Sequence, residues 1–285
     1  RDPLSTMSLA LLVATAALTT PMRVLVSGAG GQTGQACFRQ MLARPEDFAP
    51  LGLVRSEESK EALVSSGVPA ECVVVADITD AAAVLAAASG CQAVVVCTSA
   101  KPAPTGETNQ ETGRPVFGFP LGEPEIVDWL GQKAQIDAAA AQGPDTHVVI
   151  CSSMGGTDPA HMLNALGRRT ETDGTTSGGD ILLWKRKAER YAIDSKLPYT
   201  IVHPGGLLNE AGGVRELVVG VDDVVEGTDN RSVPREDVAA VLVAALLEPG
   251  YRFRSFDLVS KPEGDGVATS DFAALVKSLG ERNCD

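Results

Sequence analysis

The residues whose chemistry is most readily placed are glycines. Gly28-Ala29-Gly30-Gly31-Gln32-Thr33-Gly34 lies between a valine-rich run over 23–27 and a stretch that reads as a helix over 32–44. Strand, glycine loop and helix in that order make an anion cradle. Gly28 permits a tight turn, Gly31 lets backbone N–H groups come close to a pyrophosphate, and Gly34 lets helix and strand pack while the helix N-terminus faces the negative charge. The spacing is GxxGxxG, because Thr33 stands where GxGxxG would place its last glycine. Gly28, Gly31, Gln32, Thr33 and Gly34 are therefore expected to hold a dinucleotide.

A second group lies at the tip of the next strand. A carboxylate there would accept a hydrogen bond from a ribose 2′-hydroxyl and select NAD(H). The chain instead reads Val54-Arg55-Ser56. A guanidinium clamps a phosphate with charge-assisted bonds and a serine hydroxyl adds another, so Arg55 and Ser56 point to NADP(H) in preference to NAD(H). The alternative for Arg55 is a solvated surface arginine.

Elements must deliver these groups to one place. Strands are expected at 23–28, 51–55, 72–76, 93–99, 147–153, 199–204 and 255–260, and helices near 32–44, 57–66, 79–89, 125–142, 179–195, 234–247 and 269–279, with Asp80, Asp180 and Asp271 near helix starts. This alternation predicts an α/β fold: a doubly wound, mostly parallel Rossmann-type sheet of about seven strands, formed by one domain over 22–285. Two longer stretches, 100–124 with five prolines and 154–178 rich in Gly, Thr and Asp, follow strand C-termini. Open α/β sheets bind ligands at that edge, so both are candidate substrate loops, the alternative being solvated insertions.

Composition narrows the partners. A formal charge of −13, with no basic face apparent in the sequence, argues against nucleic acid and disfavours an anionic membrane surface. The apolar run 8–18 is too short to span a bilayer comfortably, so no stable membrane insertion is expected and residues 1–21 read as a leader or extension outside the fold. None of the six cysteines shows CxxC spacing. Cys72, Cys91, Cys97 and Cys151 sit in or beside apolar runs and read as small buried hydrophobes in a reducing intracellular compartment, with no metal site expected.

Essentially all of 22–280 resembles the atypical short-chain dehydrogenases/reductases of plants and algae, within the epimerase/dehydratase and NmrA-like group. The segments that carry the resemblance include VLVSGAGGQTGQ, GLVRS, ADITD, VVVCTSA, VDWLGQKAQIDAAAA, SSMGGTDP, LLWKRKAERY and YTIVHPGGLL. It implies that Asp77 and Ile78 lie against the adenine, that Thr98 and Ser99 border the cofactor ribose, and that Pro204-Gly205-Gly206 pass beside the nicotinamide. Apart from the resemblance, Asp77 reads equally as a turn or capping aspartate. Active relatives use serine with tyrosine and lysine in a YxxxK arrangement, the lysine holding the ribose hydroxyls and lowering the tyrosine pKa. Aligned in this way, Lys187 is the lysine, Leu183 stands in the tyrosine's place and Ser153 is the serine. Tyr191 reads as packing, and His161 and His203 as a loop and a strand-end histidine that could act as acids. The family's spread implies cytoplasm or plastid stroma.

Two functions are compatible with these residues. One is an NADPH-dependent oxidoreductase of an unidentified small molecule, with Lys187 fixing the ribose, Ser153 orienting the substrate and the proton drawn from solvent. The other is a non-catalytic NADP(H)-responsive sensor or scaffold, in which loops 100–124 and 154–178 present a surface to a protein partner.

Overall fold

Valine-rich runs become central strands because β-branched side chains suit a pleated sheet buried on both faces. A computed structural model describes residues 20–108, 113 and 115–284. The apolar run 8–18 and nearly all of the expected leader lie outside the described residues. In chain order, β1 (Met22–Ser27), α1 (Gln32–Leu42), β2 (Phe48–Val54), α2 (Glu57–Ser65), β3 (Val73–Val75), α3 (Ala81–Ala87) and β4 (Ala93–Val96) alternate as expected. β5 (Ala103–Thr108) and β6 (Pro115–Gly118) then pair antiparallel within the segment 100–124.

The helix expected over 125–142 has two parts, a π-helical segment Glu125–Gly131 running into α4 (Gln132–Ala140). β7 (His147–Cys151) follows, and the segment 154–178 contains α5 (Met162–Ala165) and the small pair β8 (Arg169–Thr170) and β9 (Thr176–Ser177). Both segments expected to be irregular thus carry short hairpins. The rest is α6 (Ile181–Asp194), β10 (Tyr199–Pro204), β11 (Gly206–Leu208), β12 (Leu217–Gly220), β13 (Ser232–Pro234), α7 (Arg235–Leu247), β14 (Arg254–Ser260) and α8 (Phe272–Lys277).

The main sheet has the order β12-β14-β10-β7-β4-β1-β2-β3. It holds eight strands rather than about seven, because β12 adds to β14 as an antiparallel edge strand that a search for strand–helix alternation passes over. All its other pairings are parallel. Strand alternation sends Val24 and Val26 into a core with Phe38, Met41 and Leu242, and Leu25 into a second core with Val84, Ile136 and Ala192. Helices therefore cover both faces. Among the described residues no helix is long and apolar enough to cross a membrane.

Caps fix the helix starts. Asp80 accepts from the N–H groups of Ala82 and Ala83 (3.0 and 3.1 Å), and Asp271 from Ala274 (2.8 Å). Asp180 does not cap α6. Its φ of 58° turns it into the left-handed region, and its carboxylate pairs with Arg168 instead.

Candidate functional site

The order of the sheet creates the site. From β1 the chain winds outward to β2 and β3, then crosses back to β4 on the other side of β1. Loops leaving the carboxyl ends of β1 and β4 therefore part and leave a crevice. A cleft of about 440 Å³ lies there, lined by Gly28, Gly30, Gly31, Arg55, Ser59, Asp77, Ile78, Thr98 and Ser99, with Leu121, Gly122, Ile126 and Val127 on its far wall.

The glycine loop is shaped for an anion. Gly28 has a φ of +69°, and a Cβ there would stand 2.7 Å from the carbonyl oxygen of Cys97. A Cβ on Gly34 would come within 2.3 Å of Gly28 O, so α1 could not close on the loop. No side chain caps α1 at Gly31, in contrast with α2, α3 and α8, capped by Ser56, Asp80 and Asp271. The first-turn amides of Gln32, Thr33 and Gly34 thus remain for a ligand, the positive end of the helix behind them. These features fit a dinucleotide pyrophosphate.

Around the cleft the expected residues divide. Arg55 is exposed at the tip of β2, where its Nη1 donates to Leu121 O (2.9 Å). Ser56 is not among the residues that line the cleft. Its hydroxyl accepts from Ser59 N–H (3.2 Å) as the cap of α2, and Ser59, which the sequence reading passed over, lines the cleft instead. Asp77 forms an Asx turn, accepting from the N–H and the hydroxyl of Thr79 (both 2.8 Å), which hold its carboxyl below the usual value with a smaller contribution from Arg55. Ile78 packs on the helical segment at Gly131, where a Cβ would be 2.6 Å from its Cδ1. Thr98 Oγ1 accepts from Gln135 Nε2 (3.2 Å).

Lys187 does not join this group. It is exposed, with its ammonium 4.6 Å and 4.9 Å from the ring centres of Trp129 and Trp184. The lysine that α6 directs inward is Lys185, 7% exposed, whose Nζ lies 2.8 Å from Asp128 Oδ1. Asp128 is fully buried, and its other oxygen accepts from Ala100 N–H (3.0 Å), just past β4. One turn before Lys185 stands Ile181, buried, so the comparison with a tyrosine shifts from the exposed Leu183 to Ile181. Both are apolar. Tyr191 donates to Asp137 (2.6 Å) and packs edge-on against Trp129, a packing role as expected.

At the neighbouring strand ends, Met154 N–H donates to Pro204 O (3.0 Å), which sets Ser153 beside the start of Pro204-Gly205-Gly206. Ser153 Oγ donates only locally, to Met154 O (3.0 Å). Gly205 is packed against Arg231 O, Gly206 opens β11, and neither lines the cleft at Gly28. His161 caps the short α5, its Nδ1 accepting from Leu163 N–H (3.3 Å).

Beside Ser153 lies a buried charged cluster that no motif announces. The Ser152 hydroxyl donates to Glu189, which also accepts from Arg186 (2.6 Å) and lies 3.1 Å from His203 Nε2. Burial works against the charge of Glu189, yet His203, Arg186 and Ser152 together hold its carboxyl well below the usual range. Burial likewise opposes a charged His203, and the Glu189 carboxylate with Asp257 and Cys284 outweighs it, raising the imidazole pKa well above its ordinary value.

Residues 28–249 match the NAD(P)H-binding family. An uncharacterized chloroplast protein of Arabidopsis thaliana is 46% identical over 265 residues, covering 92% of this chain and 77% of that one. Sanguinarine reductase of Eschscholzia californica is 44% identical over 277 residues, covering 90% of this chain and 96% of the reductase. Among solved structures, a Bacillus halodurans protein described as an NAD-dependent epimerase/dehydratase matches with a TM-score of 0.63 and 24% identity, covering 90% of this chain and 100% of that one, a likeness of fold alone.

Proposed function

The chain belongs to the NAD(P)H-binding family, and from that premise we propose that it is an NADPH-dependent reductase of a small molecule that works without a catalytic tyrosine. The observation that carries the reading is the uncapped glycine cradle at the crevice between β1 and β4, with the Arg55 guanidinium at its rim. Arg55 exchanges the Leu121 carbonyl for a 2′-phosphate, which gives NADP(H) its preference over NAD(H). Asp77 and Ile78 wall the adenine, and Thr98 and Ser99 border the ribose. When bound, the dinucleotide supplies the hydride.

Lys185, held by Asp128, takes the ribose-orienting part first expected of Lys187. Ile181 has no proton to exchange, so the proton comes from solvent or substrate while Ser153 orients the reacting group. The relative named sanguinarine reductase supports a reductase over a sensor. Stopped-flow oxidation of NADPH against sanguinarine, quinones, flavins and enones tests the reading. Turnover is expected for at least one class, and turnover no faster than that of Lys185→Ala with every class would overturn it.

One observation favours a second reading, that of a cofactor-responsive surface. The Arg55–Leu121 bond ties the expected phosphate site to the segment 100–124. In that case NADP⁺ and NADPH should raise the melting temperature by clearly different amounts, and equal shifts would refute it. The chloroplast relative supports a plastid location for this chain, to be checked by imaging the full-length protein fused to a fluorescent reporter.

A further inference from the structure

Beyond the cleft, β10, β14 and the residues after α8 bring three metal-binding side chains to one buried point. We propose that His203 Nδ1, Asp257 Oδ1 and Cys284 Sγ form a site for one thiophilic divalent ion of the zinc class. His203 and Asp257 are register partners on paired parallel strands, so the sheet itself sets their separation. Cys284 is laid beside them by its N–H bond to Ser255 O (2.8 Å) and by Asn283, whose Oδ1 accepts from Ser255 N–H (3.2 Å). Nδ1 lies 3.6 Å and Sγ 4.0 Å from Asp257 Oδ1, and all three donor atoms fall within 4.8 Å of one another. A tetrahedral ion with these donors needs separations of roughly 3.3–3.8 Å, so a contraction of some tenths of an ångström to about an ångström would seat it.

A second observation points to a ligand at this place. His203 is fully buried, and its Nδ1 has no partner within hydrogen-bond distance, the nearest being the Asp257 carboxylate at an ion-pair separation of 3.6 Å. A buried imidazole nitrogen left in that state is costly unless something fills the gap. The surroundings also suit a metal. Asp257 Oδ2 accepts from Asp223 N–H (2.7 Å), which leaves Oδ1 for the ion, and Asp222 N–H donates to Cys284 Sγ (3.4 Å). His203 Nε2 reaches Glu189 Oε2 (3.1 Å), the carboxylate–histidine arrangement that fixes the tautomer of a metal ligand. Arg186 Nη1 also lies against His203 Nε2, so seating the ion requires that guanidinium to draw back from the imidazole while keeping its own bond to Glu189. Nε2 then donates to the same carboxylate, and Nδ1 and Cys284 give up their protons as the metal binds.

Imidazole and thiolate together select zinc or cobalt over magnesium or calcium. The fourth position would be taken by water from an adjoining cavity of about 390 Å³, lined by Gly156, Thr157, Asp222 and Cys284. The ion would lock the residues after α8 to β10 and β14, independently of the cofactor. The positions 203, 257 and 284 carry no recognisable ligand spacing, which is why the sequence gives no sign of the site.

Cobalt titration of the chelator-treated, reduced protein tests the proposal. The expected result is a thiolate-to-cobalt charge-transfer band that saturates at one ion per chain. Cys284→Ser should abolish the band, and Asp257→Asn should weaken zinc affinity at least tenfold. Zinc should raise the melting temperature of the unmodified chain but not of Cys284→Ser, while NADPH stabilises both and so reports that the variant is folded. Absence of the band, or an equal band in folded Cys284→Ser, would overturn the site.

Discussion

β7 and β10 lie side by side within the sheet, and their two ends bury histidines of opposite character. At the amino end, His147 Nε2 meets Thr200 Oγ1 (2.9 Å), and that hydroxyl donates to Tyr251 O (2.8 Å), so it accepts from a neutral imidazole bearing its proton on Nε2. Burial, with a lesser push from the Arg252 charge, lowers the pKa of His147 to about 4. At the carboxyl end, His203 is equally deep but stands between Glu189 and Asp257, and its pKa rises. Depth alone does not decide the charge of a buried group; its neighbours do. The sheet thus buries a neutral histidine at its amino edge and a charged cluster at its carboxyl edge.

The contrast breaks most readily at the buried ion pair of the carboxyl edge. Lys185→Met should lower stability by about 3–5 kcal/mol, because it leaves the fully buried Asp128 without its cation. Lys187→Met, two residues on, should lose no more than about 1 kcal/mol, the worth of an exposed cation–π contact. Denaturant unfolding of both variants measures the difference. Equal losses would mean that α6 does not present Lys185 inward, and the double variant Lys185→Met/Asp128→Leu should recover much of the loss if an orphaned charge is its cause.

That pair of lysines also shows which kinds of feature are legible in a sequence and which are not. The glycine cradle was legible because strand, loop and helix are contiguous and each glycine has a local steric reason. Matching a short motif selects Lys187, whereas the periodicity of α6 marks Lys185 as the lysine on its buried face. Leu182, Lys185, Glu189 and Ala192 share one buried face, and Leu183, Lys187 and Arg190 the exposed one. Ser56, expected as a phosphate ligand, begins the pattern Ser-Glu-Glu-Ser, a local signal for the cap that its hydroxyl provides to α2. β12 was missed because it joins the sheet from the far side as an antiparallel strand with no helix of its own leading to it. The cluster of Glu189, His203 and Asp257 depends on strand register between segments far apart in the chain, which no spacing rule records.

The neutral edge can be broken by acid. His147 has a folded pKa of about 4, below the value of about 6.5 for an unfolded histidine, so between these pH values the unfolded chain binds the extra proton. Stability from this group is therefore complete above about pH 6.5 and declines as pH falls towards 4, by about 3 kcal/mol in all. His147→Gln keeps a donor for Thr200 without a titrating group and should flatten that part of the stability profile. Unfolding free energies measured from pH 7 to 4 decide the matter, and an unchanged profile in the variant would assign the acid sensitivity elsewhere.

The smallest expected effect sharpens the comparison, because it concerns a charge at the carboxyl edge that is not buried. Arg55 is exposed and bonded only to a loop carbonyl, so Arg55→Ala should leave unfolding free energy within about 0.5 kcal/mol of the original. Its proposed role lies wholly in the ligand. A charge-assisted bond to a 2′-phosphate contributes about 1.5–3 kcal/mol, so NADPH should bind roughly 10–150-fold more weakly to the variant while NADH affinity stays the same. Calorimetric titration of both dinucleotides separates the cases. If NADPH and NADH weaken together, Arg55 shapes the cleft through Leu121 rather than reading the phosphate, and selectivity must come from another group at the rim.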